Sequence, residues 1–170
     1  MPAPALVRRG AALGLKVTRA LSFLPPLLTR LVIGHAFYLT GKGKLANPEN
    51  VVGFFTDLGI PFPAANAAFV SRLEFYGGML LIAGLLTRIV AVFLGSTMVV
   101  ALMTADKPAF LGALAGTGDA GLTDVVPVVY GLFLLWLIVV GPGLVSLDAL
   151  LKKWIRPEEA KALEADRLAV

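Results

Sequence analysis

In the stretch Ser71–Arg88 one carboxylate, Glu74, lies in an apolar, glycine-rich run bracketed by Arg72 and Arg88. Extended back to about Ala64, the run is long enough to cross a bilayer core, which takes roughly 20 apolar residues. A carboxylate at that depth costs roughly 2.5 kcal/mol or more on insertion scales, so it faces the protein interior and needs a partner. A helical step of about 100° per residue sets Glu74, Gly78, Leu81 and Leu85 on one face, with Gly77 at its edge. Small residues there let a second helix come close. What Glu74 meets on that neighbour is therefore the central question.

The rest of the chain belongs with this stretch. Of its 170 residues, 58% are hydrophobic and 15% charged, and mean hydropathy is +0.85. Soluble domains hold roughly 45–50% apolar and about 25% charged residues. An all-α, polytopic membrane bundle is the expected class. No cysteine is present, which removes disulfides, dithiol redox chemistry and thiolate metal sites. A single histidine excludes a multi-histidine metal site within one chain. The net charge of +4 resides mainly in the two tails, which suits a membrane surface and not nucleic acid. No signal-peptidase pattern follows a short apolar core near the N-terminus.

In chain order, residues 1–24 form a basic segment with Arg8, Arg9, Lys16 and Arg19. Their spacing suits an amphipathic helix on an anionic leaflet, or equally a solvated tail. Residues 25–143 form the bundle. Its first span runs from Leu27 to about Gly41, extendable to Leu24–Leu45, and begins at Pro25-Pro26. Arg30, Gly34, Phe37, Gly41 and Lys44 make one stripe; His35, Tyr38 and Lys42 make a second. Arg30 and Lys44 lie near opposite ends and are expected to snorkel. A short re-entrant or interfacial helix, Glu49–Leu58, follows. The second span covers Ala64–Leu86, the third Ile89–Ala105 and the fourth Leu122–Val140, with Ala109–Gly121 reading as a loop because of its four glycines. Residues 144–170 hold an interfacial helix and a charged tail. In that helix Ser146 is the N-cap, Asp148 favours the positive helix end, and Lys152, Lys153, Trp154 and Arg156 form a belt. The basic residues of both tails and Arg88 fall on one side of this four-span scheme, which makes that side, and both termini, cytoplasmic.

Three motifs resemble the DoxX family: Arg30-x3-Gly34-x2-Phe37-x3-Gly41-x2-Lys44; Glu74-x2-Gly77-Gly78 with Gly84-x2-Thr87-Arg88; and Gly141-Pro142-Gly143-x2-Ser146-Leu147-Asp148. The match covers about Arg30 to Leu150. Many members of that family carry a histidine just before the glycine of the first span. Here that position is Thr40, so no family role passes to His35. The resemblance implies a four-helix bundle in a bacterial cytoplasmic membrane. It also implies association with thiosulfate:quinone oxidoreductases, quinol-oxidase assemblies or other membrane redox complexes. More distant relatives resemble chaperones or cargo receptors. Expected partners are the bilayer, other membrane proteins of a redox complex and a quinone. A fold does not by itself fix a function.

His35, Tyr38 and Glu74 are the candidate polar site. Glu74 is expected about 15 Å from the outer side and His35 about 9–14 Å, at 1.5 Å per residue. A contact from Glu74 to a histidine, tyrosine or arginine would make either a quinone or proton site, or a latch between two helices. Asp124 either caps the fourth helix or pairs with Lys42 or Lys44. Arg72 reaches Glu74 only by bending back, and Arg88 anchors a tight turn. Gly34, Gly41, Gly77 and Gly78 are the packing glycines. No metal site is expected, and no cofactor within the chain beyond a quinone. Nothing among these residues stores electrons, so the chain reads as a non-catalytic small subunit. The alternatives are a chaperone or assembly factor and a lipid-binding protein.

Overall fold

A computed structural model describes residues 14–16, 18–117, 121–155 and 158. The described residues are helical and contain no strand. Among the described residues from Leu24 to Ile155, seven α-helices follow in order: α1 (Leu24–Ala46), α2 (Pro48–Asp57), α3 (Pro63–Ala83), α4 (Thr87–Met103), α5 (Lys107–Ala115), α6 (Val126–Val140) and α7 (Leu147–Ile155). A 3₁₀ turn, Leu122–Asp124, precedes α6. Proline stands in the first turn of α1, α2, α3, α5 and α6, where its missing N–H costs nothing.

The run Gly14–Ala46, of which α1 is the greater part, is long and apolar enough to cross a membrane. The pair α4 and α5, bent by 77°, passes the same test as one broken span. The segment Ala109–Gly121, expected as a loop, is therefore corrected. Most of it belongs to α5, which ends at Gly116 in the left-handed region at φ 64°. Of its glycines, only Gly116 stops the helix; Gly112 sits inside it and supplies the carbonyl that the Gly116 N–H meets. The basic N-terminal segment lies largely outside the described residues, as do Arg156 and nearly all of the charged tail; Lys16 and Arg19 are helical and exposed.

The core draws on four helices. Ile33 and Phe37 of α1, Leu81 of α3, Val90, Ala91 and Leu94 of α4, and Leu134 and Leu137 of α6 pack together. The Phe37 ring meets Tyr130 edge-on at 5.6 Å. A smaller cluster joins Val51 and Phe55 of α2 to Ala67 of α3.

The closest packing is between α1 and α3, and it is backbone on backbone. A Cβ on Gly34 would stand 2.9 Å from the Gly78 carbonyl oxygen and 2.9 Å from Ile82. One on Gly41 would overlap the Phe75 backbone, and one on Gly78 the Tyr38 backbone. Gly77, expected beside Gly78 against one neighbour, instead faces α4, with Leu94 and Val90 at 3.3 Å from its virtual Cβ. Adjacent helix positions are about 100° apart, so the glycine pair serves two partners. Gly43, by contrast, has open space around it. Gly41→Ala is expected to lower stability by about 2 kcal/mol or more through overpacking. Gly43→Ala should be neutral or raise it by about 0.5–1 kcal/mol. Thermal unfolding in detergent, followed by circular dichroism, compares the two.

Candidate functional site

The α1–α3 contact sets the register of the polar residues. Lys44 lies two residues before the end of α1, and its Nζ donates to Glu74 Oε1 at 2.5 Å. The Glu74 side chain is 4% exposed and that of Lys44 32%. The other carboxylate oxygen, Oε2, is buried and has no hydrogen-bond partner. Ser71, one turn away and buried, gives its hydroxyl proton to Ala67 O at 2.6 Å, within its own helix.

This pair corrects two expectations. Glu74 meets Lys44, and no hydrogen bond joins it to His35, Tyr38 or Arg72. Lys44 does not snorkel freely, because the buried carboxylate holds it. The first turns of α3 pack on α2 instead of α1, through Ala67 and Val70 against Val51 and Phe55. Glu74 therefore stands level with the last turn of α1, although it is about three turns into its own helix.

The remaining candidates lie apart from the pair. His35 is exposed on the outer face of α1. Tyr38 is half-buried and stacks at 5.2 Å on Phe75, whose ring meets Tyr76 at 5.1 Å. Arg72 is exposed and donates to Ala68 O at 3.0 Å. Asp124 accepts from the Gly121 N–H at 2.8 Å, closing the turn before α6, and makes no bond to Lys42 or Lys44.

A second polar cluster occupies the opposite end of the bundle, and sequence reasoning identified only parts of it. Arg30, expected to snorkel, is 1% exposed. Its Nε donates to Pro26 O at 3.4 Å and its Nη2 to Val145 O, while Nη1 lies against Gly84 without an acceptor. Gly84 has φ 69°, and any Cβ there would collide with the guanidinium. The Asp148 carboxylate accepts from Leu86 N at 2.8 Å and Thr87 N at 3.0 Å, capping the start of α4. The Asp148 N–H donates to Gly84 O at 2.9 Å. Leu86 sits in the left-handed region at φ 51°, a conformation that costs a leucine about 1–2 kcal/mol and that the Asp148 cap holds in place. Ser146 Oγ accepts from Ala149 N at 3.1 Å, as an N-cap does. Arg88 donates to Val139 O at 3.2 Å, at the end of α6. The third motif thus closes onto the second. Asp148 serves a helix more than sixty residues earlier in the chain, where the sequence suggested its own helix end.

No group of three metal-binding side chains occurs among the described residues. An open groove of about 520 Å³ runs between α1 and α6, lined by Thr29, Phe133 and Trp136 among others, and neither Lys44 nor Glu74 lines it. Chemically, the Lys44–Glu74 pair offers one ammonium, a third open to the surroundings, and one carboxylate oxygen able to accept a hydrogen bond. It can bind and hold a proton, and it cannot hold electrons.

Removing either partner has unequal consequences. Lys44→Met leaves a buried carboxylate without its counter-charge. The expected loss is about 2–3 kcal/mol, under the 3–5 of a fully buried pair because Lys44 is partly exposed. Glu74→Gln leaves an ammonium that can turn outward and should cost less. Denaturation midpoints of the two variants and of the double variant test this order; equal losses would contradict it.

Comparison with known proteins adds a separate line. Residues 26–107 match the family model described as DoxX. A Bacillus subtilis (strain 168) protein named "Putative oxidoreductase CatD" is 34% identical over 87 residues, 51% of this chain and 63% of that protein. The chain thus matches somewhat under two thirds of that relative's length. A Mycobacterium tuberculosis (strain ATCC 25618 / H37Rv) protein named "Uncharacterized membrane protein Rv3486" is 33% identical over 139 residues, 76% of this chain and 83% of that protein. No solved structure matches.

Proposed function

The chain belongs to the DoxX family of membrane proteins, and on that premise we propose that it is a non-catalytic small subunit of a quinone-linked membrane redox complex. The observation that carries the reading is the buried Lys44–Glu74 pair with its free Oε2. It is a buried charge pair inside an apolar bundle, on a chain with no cysteine and one histidine. Electron storage then falls to another polypeptide. A quinone headgroup reaching this site would meet the partly exposed Lys44 ammonium, which can donate to a carbonyl oxygen, while Glu74 Oε2 lies buried behind it. The name of the Bacillus subtilis relative agrees with a redox setting.

The proposed topology has four spans, built on α1, α3, α4 and α6, in a bacterial cytoplasmic membrane. At 1.5 Å per residue, the 23 residues of α1 reach about 35 Å and the 21 of α3 about 32 Å. The 17 residues of α4 and 15 of α6 are shorter and draw on the bent α5 and the 3₁₀ turn beside them. Lys16, Arg19, Arg88, Lys152 and Lys153 fall on one side of this scheme, which supports cytoplasmic termini. With no native cysteine, Asn47→Cys should react with an impermeant thiol reagent from outside and Ala160→Cys should not. The opposite pattern would invert the topology.

Mild solubilisation of native membranes tests the function. A flavin-, haem- or iron–sulfur-containing oxidoreductase is expected to accompany the tagged chain, and its quinone reduction should fall in Glu74→Gln. The chain purified to homogeneity should show no visible chromophore and no quinone reduction of its own. A bound chromophore would make it an enzyme, and isolation without any oxidoreductase would favour the chaperone or lipid-binding roles.

A further inference from the structure

The outer face of α1 carries a group that the Lys44–Glu74 site does not use. Leu28, Leu31, His35, Tyr38 and Lys42 follow one another at alternating steps of three and four residues, the spacing of a helix-packing seam. Four of the five are exposed and Tyr38 is half-buried. His35 is midway between Leu24 and Ala46, about 17 Å from either end of α1. That is too deep for its imidazole to reach lipid headgroups. No hydrogen bond or ion pair joins it to another described residue. Ionisable side chains at such depth face protein or a wet cavity, because lipid tails offer no partner. The rings of Tyr38, Phe75 and Tyr76 carry the face onto α3, where Arg72, one turn from Tyr76, is exposed as well.

Charge decides what covers this face. It presents Lys42, Arg72 and an imidazole, and no carboxylate. Across α1, α3, α4 and α6 the sole carboxylate is Glu74, which is buried and paired. A second copy of the chain would thus bring no acidic group from these helices to meet His35. We propose that the Leu28–Lys42 seam docks a membrane-spanning helix of another protein that carries a carboxyl side chain level with His35. A polar position at the middle of a seam selects register and partner, and a left-handed crossing near 20° lets the seam interdigitate. The inference rests on the subunit reading above and names the face and chemistry of the contact.

The test uses the full chain in phosphatidylcholine vesicles, with a donor dye on Asn47→Cys. The probes are acceptor-labelled membrane-spanning leucine/alanine peptides with Glu or Leu at the centre. The Glu peptide should associate about threefold or more tightly than the Leu peptide, within the range of intramembrane interhelical hydrogen bonds. His35→Leu should bring the two peptides level. Equal association with the unaltered chain, or a preference that survives His35→Leu, overturns the proposal. If His35→Leu folds poorly, His35→Phe removes the ring nitrogens at similar volume and carries the same comparison. The two readings fail separately. An oxidoreductase that co-purifies equally with the unaltered chain and with His35→Leu overturns the docking face and leaves the subunit reading intact. Peptide discrimination without any co-purifying oxidoreductase supports the docking face and removes the redox complex.

Discussion

The contact of α1 with α3 through Gly34, Gly41 and Gly78 is the constraint on which the rest of the bundle depends. In lipid there is little hydrophobic gain from bringing two helices together, so association relies on close packing and interhelical polar contacts. Both occur along this one line. The glycines remove the side chains that would hold the backbones apart, and the approach is close enough that a methyl group at any of the three meets backbone or the adjoining side chain. Because the helices touch there, Lys44 at the end of α1 reaches a carboxylate three turns inside α3. Were the helices spaced by leucines, Glu74 would face an apolar neighbour with nothing to offset its burial.

The two ends of the bundle use their polar residues differently. At the Lys44 end, a charge pair holds side chain to side chain and keeps one oxygen free. At the Arg30 end, charged groups hold backbone. Arg30 binds the Val145 carbonyl, Arg88 the Val139 carbonyl, and Asp148 two N–H groups at the start of α4. Helix ends leave carbonyls and N–H groups without intrahelical partners, and these side chains satisfy some of them. Each end also keeps a buried polar atom without a partner, Glu74 Oε2 at one and Arg30 Nη1 at the other.

The proposed docking role draws on what surrounds the bundle. Its outer surface is rich in exposed leucine, valine and phenylalanine, as a lipid-facing surface is. Against that background, an imidazole at mid-helix and an arginine on α3 stand out because lipid cannot satisfy them. A subunit of the proposed kind would contribute a polar seam to a neighbour and a buried charge pair within itself, and electron storage would fall to another polypeptide.

Much of the architecture was written in local sequence. The all-helical class followed from hydropathy, and the starts of α1, α2 and α3 followed from proline placed just inside each helix, because these are effects within a turn or two of the chain. The glycines at 34, 41 and 78 were readable as packing positions for the same reason. Residues 109–115 were not readable as helix, since the spacing of glycines resembles a loop until the left-handed Gly116 shows where the helix stops. Polar partners were the least legible. Lys44 and Arg30 both looked free to reach the surface, and His35 looked level with Glu74. The sequence by itself determined which charges must be buried or paired, because the cost of a lone charge in an apolar setting does not depend on the neighbour's name. Only the tertiary structure decided that Lys44 answers Glu74, that Asp148 answers α4 and that His35 faces outward. Those outcomes depend on the register and rotation of one helix against another, and register is set by the summed packing of residues far apart in the chain.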